Sequence, residues 1–384
     1  MKDFTYYNPV KVVFGANAIE RLADLVPPQA KVLLVTGTGS IRTNGVYDRV
    51  MKGLSGRKVV EYSGIEPNPE YEKCMEAVMR VRESGATFLL SVGGGSVLDA
   101  TKFIAVAAPW KKGDPWDIVE KSAPVEDALP IGCVLTLPAT GSEVNGNSVI
   151  SRRAKGQKLA FSTPMVMPVF SLLDPATTLS LSWRQTANGI VDAFVHVMEQ
   201  YLTYDVDTRL QDRQAEAILS TLIEVAPRLK ADPADLNARA TLMWAASNAL
   251  NNLINCGTVQ DWSTHVIGHE LTALHGLDHA QTLAIVLPAV MRHQKAQKGQ
   301  KIAQFGQRVL GISGATQDEI VERTIAATAA FFEEVGIPTR LGSWGLTVEQ
   351  CLPAAAAIGG RDGHIGEHQD IGENEVAAIL HLCA

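Results

Sequence analysis

The stretch FLLSVGGGSVLDATKFIAVAA, residues 88–108, decides the fold class. Phe88–Val92 is a short apolar run, the pattern of a strand buried on both faces. It passes directly into Gly93-Gly94-Gly95-Ser96, and Val97–Ala108 then has helical periodicity. A strand that runs through glycines into a helix is half of a βαβ unit. Upstream, Lys31–Gly37 (KVLLVTG) and Lys58–Ser63 repeat the strand pattern, with helical stretches at Gly45–Leu54 and Glu70–Ser84. Downstream, Ile131–Leu137 and Val169–Leu173 are further apolar runs of strand length. The alternation predicts a doubly wound α/β sheet that binds ligands at the carboxyl ends of its strands.

The pattern changes after Asp174-Pro175. Gln185–Tyr201, Leu210–Leu229, Ala238–Cys256 and Val321–Val335 are helical in period, and β-branched runs nearly vanish. With 384 residues to place, two domains are expected: an α/β domain over 1–182 and an all-helical domain over 183–384.

Composition narrows the function classes. Hydrophobic residues make up 46% and charged residues 20%, ordinary for a globular protein in water. A net charge of −7 argues against nucleic acid or an anionic membrane surface as partner. The N-terminal MKDFTYYNPVK has no apolar core of a signal peptide, and no run approaches a membrane span. Five scattered cysteines without CxxC spacing fit reduced thiols, so a cytoplasmic location is expected.

The loop Gly93–Ser96 lets backbone N–H groups approach a phosphate at a helix start, although such glycines also serve tight turns alone. It is not a Walker loop, since no Gly-Lys-[Ser/Thr] follows. The second cluster, Gly37-Thr38-Gly39-Ser40-Ile41-Arg42, fails GxGxxG at its last position. Any nicotinamide site is therefore of a different build.

The strongest chemical signal lies in the second half. Asp192 and His196 are four apart and share a helix face. The segment DWSTHVIGHELTALHGLDHAQ, 261–281, holds His265, His269, His275 and His279, four of the nine histidines of the chain. Fourteen residues of unbroken helix would part His265 from His279 by roughly 21 Å. For both to reach one ion the chain must turn back, and His275-Gly276-Leu277-Asp278 is a place for the helix to end. One carboxylate with three imidazoles suits Zn²⁺ or Fe²⁺. Helical histidines are often merely packed, and an Asp–His pair is often only a helix-face hydrogen bond, so both readings stand. A zincin protease does not fit, because His275 lies six residues beyond His269 and HExxH is not met.

These residues carry a resemblance. VGGGSVLDATK at 92–102, LPATGSE at 137–143, ANGIVDAFVHVMEQY at 187–201 and the His265–His279 segment resemble the iron-containing (group III) alcohol dehydrogenases over nearly the whole chain. Within that family the chain looks like the bacterial NADPH-dependent aldehyde reductases of the butanol dehydrogenase branch. The resemblance implies a dehydroquinate synthase-like fold, an α/β dinucleotide domain followed by a helical domain, with the active site in the cleft between them. It places a divalent metal, Fe²⁺ or Zn²⁺, on Asp192, His196, His265 and His279. It sets His269 near nicotinamide and substrate as a proton relay, and the pyrophosphate on Gly94, Gly95 and Ser96. Nicotinamide-side contacts fall on Thr136, Thr140 and Lys158, with Asn68 and Asp99 also on the cofactor side. Many members have a longer PTTAGTGSE loop, shortened here to PATGSE. Relatives that use NAD tend to carry an acid where this chain has Gly37, so NADP(H) is expected, its 2′-phosphate beside Gly37, Gly39 and Ser40. The expected reaction is reversible hydride transfer between NADP(H) and a primary alcohol or aldehyde, by a homodimer. Rival readings are a polyol or glycerol dehydrogenase, dehydroquinate synthase, a metal hydrolase and a non-enzymatic metal-binding module.

Overall fold

A computed structural model describes residues 1–384. The chain forms two compact units, one of residues 7–182 with 234–247, the other of 1–6, 183–233 and 248–384.

The first unit is built on a six-stranded sheet: β1 (Lys11–Phe14), β2 (Lys31–Gly37), β3 (Lys58–Ile65), β4 (Phe88–Gly94), β5 (Ile131–Leu137) and β8 (Phe170–Leu173). Their order is β1-β8-β5-β4-β2-β3, and every pairing is parallel. The central strands are apolar along their length because side chains bury on both faces. On one face Leu33, Leu89 and Leu135 pack with Phe103, Ile104 and Trp116, and on the other Val32, Leu34 and Leu90 pack with Ile19, Leu22 and Val50.

From β2 the chain moves outward to β3, whereas from β4 it moves the other way to β5. The reversal therefore falls between β2 and β4, neighbours in register from Val32↔Phe88 to Thr36↔Val92. Loops leaving a parallel sheet at such a point diverge and leave a crevice. Here they are 37–40 and 93–96.

Two features were not anticipated from the sequence. β1 lies at the sheet edge and is only partly buried. A separate antiparallel hairpin pairs β6 (Asn147–Arg152) with β7 (Gln157–Ser162), closed through Gly156 at φ 62°.

The second unit is helical. Its main helices are Trp183–Tyr201, Arg209–Ala231, Ser263–His275, His279–His293, Lys295–Arg308, Gln317–Glu334, Pro353–Arg361 and Glu373–Leu382. Phe194 packs on the rings of Phe305, Phe331 and Phe332. The helix expected over 238–256 runs instead from Leu236 to Ala249 and belongs almost wholly to the first unit. Turns follow, with Asn252 left-handed at φ 68°, a conformation that asparagine tolerates better than most residues. No helix is long and apolar enough to cross a membrane.

Candidate metal and cofactor sites

The Trp183–Tyr201 helix sets Asp192, His196 and Glu199 at i, i+4 and i+7, one face of the helix, and all three are buried. The Ser263–His275 helix supplies His265 and His269 one turn apart. It stops at Gly276, whose φ of 71° is the left-handed cap and whose N–H returns to Thr272. Asp278 then starts the His279–His293 helix with a reciprocal capping box to Gln281. This is the reversal that the two histidines need. Asp278 is fixed in turn by Arg184 Nε at 2.9 Å and by Asn188 Nδ2 at 2.7 Å.

Ligand atoms of Asp192, His265 and His279 lie within 4.8 Å of one another. Asp192 Oδ1 is 3.6 Å from His279 Nε2 and 3.7 Å from His196 Nε2. Donors tetrahedrally placed about 2.1 Å from one ion are roughly 3.4 Å apart, so these separations suit a shared cation. The His196 and His265 rings stack at 4.7 Å, and those of His265 and His279 lie 5.1 Å apart. Asp192 Oδ1 and His196 Nδ1 are buried and make no hydrogen bond. A buried carboxylate oxygen without a donor is costly unless a cation takes that place. Burial lowers His196 to about 4, leaving the neutral ring that ligation requires. The donor set thus fits a divalent metal.

His269 lies beside this group, its ring 5.0 Å from that of His279. His275 faces elsewhere, with Nε2 3.6 Å from Cys351 Sγ.

The sequence reading passed over Glu199. Its Oε1 accepts the backbone N–H of Thr264 at 2.6 Å and of His265 at 3.3 Å, and its Oε2 meets His265 Nδ1. Burial, and then the charge of Asp261, push its pKa up to about 8, an upward shift that those two backbone donors only partly offset. The signal was the i+7 spacing from Asp192 on the face that carries His196.

In the first unit, Gly37 and Val97 sit side by side: a Cβ on Gly37 would lie 3.5 Å from Val97 Cγ2 and from Ile65 O. Gly94 pairs with Leu137, so the segment holding Thr136 and Thr140 leaves the sheet beside the glycine loop. Residues 37–40, 94–96 and 136–140 are therefore gathered at one end of the sheet. A Cβ on Gly93 would strike Val97 at 2.5 Å, and one on Gly95 would strike Thr140 at 2.5 Å. These glycines are thus required by packing, quite apart from any phosphate. Gly39 has φ 124°, which other residues rarely adopt. Asn68 sits left-handed at φ 56° in its Pro-flanked turn. Ser40 is exposed at the start of a short helix, and Arg42 two residues on pairs with Glu61 at 2.5 Å and lies over the Tyr47 ring at 4.1 Å. Lys158 is buried on β7.

Asp99 is committed to the protein. Its Oδ1 accepts from Ser142 Oγ at 2.7 Å and its Oδ2 from Val149 N at 3.0 Å. Beside it Lys102, fully buried, donates to the carbonyls of Ser142, Asn145 and Asn147 and to Asn145 Oδ1.

A six-stranded parallel sheet with its crevice between two glycine loops, joined in one chain to a helical unit with a carboxylate–histidine centre, defines a dinucleotide-type oxidoreductase scaffold. The chain belongs to the iron-containing alcohol dehydrogenase family: residues 9–175 match iron-containing alcohol dehydrogenase, and 186–383 match the C-terminal part of the Fe-containing alcohol dehydrogenase family. It is 50% identical to the NADPH-dependent aldehyde reductase YqhD of Escherichia coli (strain K12), over 97% of both chains. To a probable NADH-dependent butanol dehydrogenase of Bacillus subtilis it is 40% identical over 99% of both. The crystal structure of Escherichia coli K-12 YqhD superposes with a TM-score of 0.98 at 48% identity, covering 100% of this chain and 99% of that one. The protein is therefore an enzyme of the alcohol and aldehyde dehydrogenase class, which sets aside the hydrolase and the non-enzymatic metal module.

Proposed function

We propose that this enzyme is an NADP(H)-linked aldehyde reductase and primary alcohol dehydrogenase in which Asp192, His196, His265 and His279 hold one divalent cation, Fe²⁺ or Zn²⁺. The observation that carries the reading is the convergence of Asp192, His265 and His279 around a carboxylate oxygen with no hydrogen-bond donor. When bound, the cation supplies Lewis-acid polarisation of the substrate oxygen and the nicotinamide supplies or takes the hydride.

The chain's own residues do the rest. Gly94, Gly95 and Ser96 leave backbone N–H groups at the start of the Gly95–Ala107 helix, where the pyrophosphate is read. Gly37, Gly39 and Ser40 leave the neighbouring strand end without an acid, which admits a 2′-phosphate. Thr136, Thr140 and Lys158 attend the nicotinamide, and Asn68 its flank. Asp99 acts one step back, through the Ser142 loop that it holds. His269, its ring beside that of His279, moves a proton at its ring nitrogen.

The test follows nicotinamide absorbance with NADPH and butyraldehyde before and after chelation and again after Fe²⁺ or Zn²⁺ is restored. Loss on chelation and recovery on metal return are expected. Full turnover in chelated, metal-free protein contradicts the reading.

A further inference from the structure

We infer that Glu199 is a positioning residue that fixes the tautomer and the placement of His265 for metal binding; the inference rests on the metal reading above. The Ser263–His275 helix begins without a cap of its own: its N-cap residue is Trp262, left-handed at φ 68°, with no side-chain hydrogen bond to the helix. The N–H groups of the second and third helical residues are those a capping side chain satisfies. They belong to Thr264 and His265, and Glu199 Oε1 from another helix accepts both.

The other oxygen of the same carboxylate meets His265 Nδ1. A carboxylate oxygen there calls for a proton on Nδ1, which puts the lone pair on Nε2, the nitrogen that would ligate a cation. One carboxylate thus sets where the helix starts, where the ring points and which nitrogen ligates. Carboxylate partners of this kind raise the basicity of metal-bound histidine.

The backbone of Glu199 and the start of the facing helix are themselves braced. Glu199 O accepts from Asp261 N at 3.0 Å, and Asp261 Oδ1 accepts from Ser263 N at 2.6 Å. Buried Lys298 bridges Asp261 and Glu367, each at 2.6 Å, and donates to Leu202 O at 2.7 Å.

Glu199→Gln separates the two roles. The amide oxygen keeps the helix cap, but the amide NH₂ facing His265 drives its proton to Nε2 and blocks ligation. The experiment is chelator competition for Zn²⁺ on the full-length wild type, Glu199→Gln and Glu199→Asp, with circular dichroism as the control for folding. Glu199→Gln is expected to bind Zn²⁺ about 10- to 100-fold more weakly at unchanged helicity. Glu199→Asp, which keeps the charge but withdraws it by one methylene, is expected between the two. If Glu199→Gln fails to fold, the Asp variant decides: wild-type affinity there overturns the inference. Wild-type affinity in a folded Glu199→Gln overturns the inference and leaves the metal reading intact. A wild type that takes up no Zn²⁺ overturns both.

Discussion

Lys102 and Asn145 lock the loop that follows β5: the buried Lys102 ammonium donates to the Asn145 carbonyl at 2.9 Å and to its side-chain Oδ1 at 3.2 Å. With Ser142 O and Asn147 O added, four oxygens surround one ammonium. The loop so held starts at Thr140, which touches Gly95 at the head of the Gly95–Ala107 helix. Lys102→Met leaves those oxygens without their donor, and each buried acceptor so stranded commonly costs about 1–3 kcal/mol. A lower urea midpoint and a raised KM for NADPH are expected. Burial lowers Lys102 to about 8 against the pull of Asp99 and Glu143. Between pH 8 and the ordinary lysine value the unfolded chain holds a proton that the folded chain has released, so this group adds stability as pH rises through that window. The stability gap between wild type and Lys102→Met should therefore widen from pH 7.5 to roughly pH 10. A constant gap contradicts the assignment.

On the proposed reading, cofactor choice turns on Gly37. Its φ is outside the left-handed region, and a Cβ there would make only ordinary contacts at 3.5 Å, so Gly37→Asp tests charge rather than folding. The wild type is expected to prefer NADPH over NADH at least tenfold in kcat/KM, about 1.4 kcal/mol. Gly37→Asp should erode this by harming NADPH most. A wild type that prefers NADH refutes the strand-end argument.

Asp278 holds the start of the helix that carries His279, with Arg184 and Asn188 bound to the same Oδ2. Asp278→Ala removes the cap, worth about 1 kcal/mol, and frees His279 to shift. Thermal unfolding should come earlier, and Zn²⁺ should leave faster in a chelator assay. Unchanged metal release would show that His279 is held by other means.

Substrate preference follows from the charges near the histidines. Segments 187–201 and 261–281 contain no arginine, and the nearby Arg184 and Arg361 are taken by Asp278 and by Glu270 with Asp362. No guanidinium is offered there to a substrate carboxylate. Butyraldehyde should turn over faster than succinic semialdehyde at equal concentration. The reverse order contradicts the prediction.

The sequence was most legible where the signal is local. The buried central strands announce themselves as apolar runs, and Gly276 with Asp278 marks the helix break that lets His265 and His279 meet. The hairpin Asn147–Ser162 was missed because its mixed, partly polar strands lack the apolar run of the central sheet. The helix after Leu236 was read too long because Leu250 and Ile254 extend its apolar spacing, while the Asn-rich turns end it at Ala249. The i+7 spacing of Glu199 from Asp192 marks only the face it shares with His196; its meaning lies in a partner 66 residues away. Asp99, expected on the cofactor side, accepts from Ser142 and Val149, contacts set by the loop's return to the helix and invisible to local spacing.

The most direct test of the central claim is the metal content per chain of folded His265→Ala beside wild type, with His275→Gln as control, each paired with NADPH–butyraldehyde turnover. The wild type and His275→Gln, whose ring faces Cys351, should each hold one divalent ion per chain and turn over alike. His265→Ala should keep its circular dichroism while losing most of its metal and turnover. A His265→Ala protein that retains full metal and full turnover would contradict the account.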